Sequence, residues 1–149
     1  MWHVRRADVS DVEQVATHLR VLDFDDHHFY DLETVRERCE APETIVLVSV
    51  SEETGLVGGA MVLQFEDQSC QIEALGCLPE SQGRGAGAAL IRAAVEHCRR
   101  HAIPKLWCWS METYGAERFY RSLGFHEEIL LKRQFFGEDC WFFGQLIER

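Results

Sequence analysis

The sequence predicts one domain of mixed α/β class, with a mostly antiparallel sheet of about seven strands, about four helices, and strands 4 and 5 running parallel. Three observations predict it. Segments of strand character recur at short intervals between turn residues. One strong helical pattern, residues 85–101, is inserted between two of them, as a crossover to a parallel strand requires. The 149 residues, 46% of them apolar, suit a single domain that buries a core.

Each element has a local reason. Residues 2–6 alternate and read as the first strand. Asp8 can cap a helix, and Val12, Val15, Ala16, Leu19 and Leu22 then follow a helical stripe. A polar loop with aromatics, residues 23–30, precedes a shorter helix at 32–39. Residues 44–50 are rich in β-branched side chains and form the second strand. A turn at 51–55 leads to the third strand, 56–65, and a turn at 66–68 leads to the fourth, 70–78. Pro79 ends that strand, because it cannot donate to a ladder. In the helix at 85–101, Leu90, Ile91, Ala94, Val95 and Cys98 share one face. Arg99, Arg100 and His101 suit the negative end of its dipole. Pro104 precedes the fifth strand, 105–109. Thr113 opens a short helix to residue 123, with Gly124 as its stop. Two closing strands, 125–133 and 140–147, complete the chain.

Composition narrows the function. The formal net charge is −10, which argues against broad nucleic-acid binding, where positive surface dominates affinity. It is compatible with a cationic amine substrate, and equally with acidity that serves solubility alone. No apolar run is long enough to span a bilayer, and no apolar stretch follows the basic pair Arg5-Arg6, so neither a membrane anchor nor a signal peptide is expected. The expected location is the cytoplasm. The six cysteines, Cys39, Cys70, Cys77, Cys98, Cys108 and Cys140, form no C-x-x-C pair and read as reduced thiols.

The segment Gln82-Gly83-Arg84-Gly85-Ala86-Gly87 lies where a strand hands over to a helix. Glycines let a ligand approach the backbone, and the first N–H groups of a helix are unpaired at the positive end of its dipole. A diphosphate fits such a turn. Gly83, Gly85 and Ala88 also satisfy the dinucleotide pattern G-x-G-x-x-[GA]. The turn follows the fourth strand rather than the first, and no clear ribose-binding acid ends the next strand, Glu112 being the nearest. Both points disfavour a nicotinamide site. A tight turn with no ligand is the third reading.

Two segments together resemble the GNAT superfamily of N-acetyltransferases. The run from Leu78 to Gly87 is similar to that family's Q-x-x-G-x-[GA] acetyl-CoA motif, with Gln82, Gly85 and Gly87 at its defining positions. The run Ala116-Glu117-Arg118-Phe119-Tyr120-Arg121-Ser122-Leu123-Gly124-Phe125 is similar to its second motif, A-x-x-F-Y-x-x-x-G-F. Thr113 stands where the family often has an asparagine, a departure that weakens one donor contact.

The resemblance implies an acetyl-CoA-dependent N-acetyltransferase, with acetyl-CoA as donor, no metal, and direct attack by a primary amine of a small molecule or peptide. It implies a GNAT-like sheet splayed at strands 4 and 5, with the pantetheine arm between them. Backbone groups of Cys77 and Leu78 would bond the pantetheine amides. Backbone N–H groups of Gln82, Gly83, Arg84, Gly85, Ala86 and Gly87 would hold the pyrophosphate, and Thr113, Ala116 and Phe119 would contact the donor. Tyr120 would lie near the sulfur and protonate the departing thiolate; its alternative reading is a core aromatic. Glu73 is the candidate base, because alternation places it with Leu75 and Cys77 on one face and an apolar setting strengthens a carboxylate as a base. Its alternatives are a solvent-facing residue or a group that only binds the ammonium, with a water chain taking the proton. A non-catalytic acetyl-CoA-binding sensor or interaction module is the alternative function.

For the acceptor, the resemblance points to the segment after the first helix and to the last strands. Asp25, Asp26, Phe29 and Tyr30 combine acids and aromatics, which suits a cationic, partly apolar amine; an ordinary solvated loop is the competing reading. His27 and His28 beside the two acids do not predict a metal, since adjacent ligands rarely converge on one ion. Trp107, Trp109, Phe135, Phe136, Trp141, Phe142 and Phe143 read first as core, with an acceptor wall or a homodimer contact as alternatives for the cluster nearest the C-terminus.

Overall fold

The computed structural model describes residues 1–148. Seven strands form one sheet in the order β1-β2-β3-β4-β5-β7-β6. They are β1 (Trp2–Arg6), β2 (Thr44–Ser51), β3 (Val57–Glu66), β4 (Ser69–Gly76), β5 (Lys105–Met111), β6 (Glu127–Phe135) and β7 (Glu138–Leu146). Every neighbouring pair is antiparallel except β4 and β5. The helices are α1 (Val12–Leu19), α2 (Leu32–Glu40), α3 (Ala86–Arg100) and α4 (Glu117–Ser122).

The sheet is the middle of three layers. On one face, Val12, Val15 and Leu19 of α1 and Val35 of α2 pack on Val46, Val48, Ala60 and Val62. On the other, Leu90, Ile91, Ala94 and Cys98 of α3 pack on Met61, Leu63, Cys70 and Leu106. With both faces covered, β3 reads as an unbroken apolar run, because each inward face needs its own alternating set.

Local chemistry sets the ends of the elements. Asp8 caps a 3₁₀ turn, Val9–Asp11, that leads into α1. Asp11 returns the bond to the Asp8 N–H and completes a capping box. Asp31 caps α2. The fourth strand stops at Gly76, two residues short of the expected end, and Pro79–Ser81 form a 3₁₀ turn. The segment expected as one helix from Thr113 is broken. A 3₁₀ turn, Glu112–Tyr114, is followed by Gly115 in the left-handed region (φ 65°), and α4 begins only at Glu117. Thr113 is therefore exposed in a turn and caps no helix.

One irregularity decides the geometry of the site. Val62 pairs with Ala74 and Leu63 with Ile72, so Glu73 is an extra residue in β4, a β-bulge. Strict alternation would have put Ile72 and Ala74 on one face, and Glu73 with Leu75 on the other. The bulge breaks that phase. Ile72 packs on the α3 side and Ala74 on the α1 side, while Leu75 packs against the α3-side core.

Candidate active site

The parallel pair β4–β5 is joined only at Cys70↔Leu106 and Gln71↔Trp107. Beyond these residues the strands part, although β4 runs on to Gly76 and β5 to Met111. Main-chain groups on that edge of β4 have no strand partner among the described residues, as the family resemblance implied for strands 4 and 5. The gap opens into a cleft of about 660 Å³. Ile72 to Cys77 line one wall, Trp109 and Ser110 the other, and the glycine turn with the start of α3 one end. Ala116, Phe119 and Tyr120 of the α4 segment close it from the α3 side.

The glycine turn is built from several directions. Gly85 sits at φ 98°, a left-handed conformation that sets the start of α3. The Gln82 side-chain amide donates to the Cys77 carbonyl (2.9 Å), closing the turn on the end of β4. The Trp2 indole N–H donates to the Arg84 carbonyl (2.8 Å). The Trp2 ring also lies on Gly58, where a Cβ would come within 2.4 Å of it. Gly58 is itself the extra residue of a bulge between β2 and β3. Sequence reasoning treated Trp2 only as a strand residue, since nothing local signals a contact across 82 positions.

His18 is the second residue missed. It is buried on α1, with 1% of its surface exposed. Its Nδ1 accepts the Leu78 N–H (3.0 Å), and its Nε2 lies 3.1 Å from the Val57 carbonyl. These partners fix a neutral ring that donates from Nε2, and burial pushes its pKa down. It pins the exit of β4 to the start of β3.

Not every expected donor contact reaches the cleft. Leu78 does not line it: its N–H goes to His18, and its carbonyl accepts the Ser81 and Gln82 N–H groups. Cys77 lines the cleft, but its carbonyl is taken by Gln82. Arg84 and Thr113 lie outside the lining, the first because its carbonyl faces Trp2 and the second because the helix it was to open is broken. Gln82, Gly83, Gly85, Ala86, Gly87, Ala116 and Phe119 are all part of it. The first N–H groups of α3 have no acceptor within the helix.

Tyr120 is 7% exposed and lies among Phe119, Phe125 and Phe143, with ring centroids 5.0–5.2 Å apart. Burial raises its pKa well above the ordinary phenol value, with the neighbouring Cys108 thiol adding to the shift. Burial pushes Cys108 itself up to about 12. The phenol therefore carries its proton at every physiological pH.

Glu73 lines the cleft, but its neighbours are not only apolar. Arg38 Nε donates to both carboxylate oxygens (3.1 and 2.8 Å), and the Tyr30 hydroxyl donates to Oε2 (2.8 Å). The bulge turns Glu73 toward α2, where Arg38 lies. Burial, followed by the Glu73 charge, drives the Tyr30 pKa upward.

Of the four expected acceptor residues, the structure brings Phe29 and Tyr30 to the cleft and leaves Asp25 and Asp26 exposed outside its lining. Asp25 is at φ 51°, in a tight turn closed by the Phe24–His27 bridge. Phe135 spans the site, 4.7 Å from Trp109 and 6.1 Å from Phe29 between ring centroids. His27 stacks on Phe136 at 4.0 Å, so the β6–β7 turn and the α1–α2 loop touch. His28 pairs instead with Asp23 (2.8 Å). Trp141 and Phe143 stack on the Tyr120 side, while Phe142 stacks on Trp107 across the opposite face.

The model of the acetyltransferase (GNAT) family matches residues 12–125, most of the chain. The chain belongs to the GNAT acetyltransferase family. Members of the family are acyltransferases, and the matched segment contains the glycine turn, the splayed strands and Tyr120. An uncharacterized N-acetyltransferase of Methanocaldococcus jannaschii is 41% identical over 56 residues, which span 36% of this chain and 24% of that protein. Solved GNAT structures share the fold at low identity. The ribosomal-protein-S18-alanine N-acetyltransferase of Escherichia coli superposes with a TM-score of 0.80 at 16% identity, covering 100% of this chain and 96% of that one. Ard1 of Thermoplasma volcanium gives 0.79 at 19%, covering 99% of each. Mutant forms of the spermidine/spermine N-acetyltransferase SpeG of Vibrio cholerae give 0.78 at 18%, covering 98% of this chain and 95% of that one. No helix of the described residues is long and apolar enough to cross a membrane.

Proposed function

We propose that this GNAT protein is an acetyl-CoA-dependent N-acetyltransferase of the cytoplasm that moves an acetyl group to a primary amine by direct attack. The observation that carries this reading is the parting of β4 from β5 beyond Gln71 and Trp107. It leads an unpaired strand edge directly to the helix N-terminus at Gly85–Gly87, with Tyr120 in the wall between.

The residues present fit such a donor. The edge of β4 offers main-chain partners to the amides of a pantetheine arm. The start of α3 offers N–H groups and the positive end of a 15-residue helix to a diphosphate. A Cβ on Gly87 would come within 3.3 Å of the Phe119 ring, a tight contact that glycine avoids. Bound there, acetyl-CoA supplies a thioester carbonyl: the amine forms the new C–N bond as the C–S bond breaks, and the thiolate needs a proton.

Tyr120 is the candidate to supply that proton, because it lines the cleft and its hydroxyl is protonated. Glu73 faces the incoming ammonium. Both of its oxygens are already held by Arg38, and one also by Tyr30, so its role in this proposal is to fix the amine. Water in the cleft then carries the amine's proton away. Mixing the protein with acetyl-CoA and a broad panel of primary amines tests the assignment through thiol release. Release that depends on an acceptor is expected. Saturable acetyl-CoA binding with no release from any acceptor would instead make the protein a sensor.

A further inference from the structure

The acceptor end of the cleft holds very little charge. Glu73 is the sole ionisable carboxylate or basic side chain among the residues that line the whole cleft. Asp25 and Asp26, the acids that the sequence offered to a cationic substrate, are outside it. Glu73 is also already paired, since Arg38 lies 2.8 Å from it. The lining thus offers one carboxylate to a positive centre, and a second centre would meet an apolar wall without a counter-charge, which is costly.

That wall is aromatic and belongs to three separate elements. Phe29 comes from the α1–α2 loop, Trp109 from β5 and Phe135 from the end of β6, with Phe135 meeting both of the others. Tyr30, next to Phe29, donates its hydroxyl to Glu73. One carboxylate and a three-ring wall therefore line the same cleft. Such a wall buries a flat apolar body and attracts a single ammonium near its ring faces.

We propose that the acceptor is a primary amine with a single positive charge on an aromatic or bulky apolar body, its ammonium at Glu73 and its body against Phe29, Trp109 and Phe135. Polyamines and charged peptides are the excluded classes. The inference rests on the N-acetyltransferase reading, and the test separates the two. With saturating acetyl-CoA, 2-phenylethylamine and spermidine are compared for thiol release. In parallel, binding of 2-phenylethylamine to the CoA-saturated protein is followed by calorimetry.

The expected result is a kcat/KM for phenylethylamine at least tenfold above that for spermidine. Phe135→Ala should lower the phenylethylamine value about tenfold and the spermidine value by much less. Trp109→Phe, which keeps an aromatic ring, should have a smaller effect in the same direction and guards against misfolding of the first variant. Tight phenylethylamine binding that Phe135→Ala weakens, with no release from any amine, would uphold the pocket assignment while removing the transferase reading. Spermidine or a basic peptide preferred over phenylethylamine, equal losses for both amines in Phe135→Ala, or no phenylethylamine binding at all would overturn the inference.

Discussion

Replacing Trp2 with phenylalanine should weaken acetyl-CoA binding without slowing the chemical step. Phenylalanine keeps an aromatic ring at position 2 but removes the indole N–H that holds the Arg84 carbonyl at 2.8 Å. A hydrogen bond of this kind contributes about 0.5–1.5 kcal/mol net. If all of it serves to hold the turn in its binding form, a loss of about 1 kcal/mol raises Kd for acetyl-CoA roughly fivefold. Gly58→Ala is the companion variant, because its Cβ would come within 2.4 Å of the Trp2 ring and force the indole away. It should weaken donor binding at least as much. Calorimetric titration gives Kd, and steady-state kinetics give kcat at saturating donor. Unchanged Kd in both variants, with only thermal stability reduced, would show that Trp2 braces β1 and has no part in forming the turn. A fall in kcat with KM unchanged would also refute the reasoning.

Three further outcomes follow from the site and its supports. Tyr120→Phe should lower kcat by about 10²-fold or more while leaving the Kd for acetyl-CoA unchanged, since general acid catalysis contributes 10²–10⁴-fold; equal kcat would remove the proton-donor role. Glu73→Gln should lower kcat/KM across the whole pH range and keep the shape of the profile, as expected of a group that fixes the amine. Disappearance of the acidic limb would restore Glu73 as the base. His18 makes stability pH-dependent: burial lowers its folded pKa below the unfolded value near 6.5, so the unfolded chain takes up the proton first and stability falls as pH drops through that value. Urea midpoints at pH 7.5 and 5.5 should differ less in His18→Gln than in the wild type, and the variant should be about 1–3 kcal/mol less stable at pH 7.5 because the Leu78 N–H and Val57 carbonyl lose their partner. Identical pH dependence in the two proteins would contradict this.

The fold was largely legible in the sequence because its signals are local. The periodicity of α3, the β-branched run of β2 and Pro79 after β4 all act within a few residues. The crossover through α3 then required β4 and β5 to be parallel. The site was less legible wherever a contact joins distant segments. Trp2 meets Arg84, His18 meets Leu78, and Arg38 meets Glu73, each pair set by the sheet order rather than by spacing. The Glu73 bulge was illegible for a different reason. Period-2 reasoning assumes an uninterrupted ladder, and one extra residue changed the face on which the candidate base lies. Thr113 shows the same limit at a helix: Gly115 in a left-handed conformation separates it from α4, so a capping residue in the sequence caps nothing in the fold.

The opening between β4 and β5, ending at the glycine turn, is the proposed acetyl-CoA site. Calorimetric titration of acetyl-CoA into the wild type and into Gly87→Leu tests it most directly, because a side chain at Gly87 would project beside Phe119 and Cys77 into the cradle. Saturable one-to-one binding by the wild type and at least a hundredfold weaker binding by a folded Gly87→Leu are expected. Absence of binding to the wild type, or equal affinity in the two proteins, would contradict it.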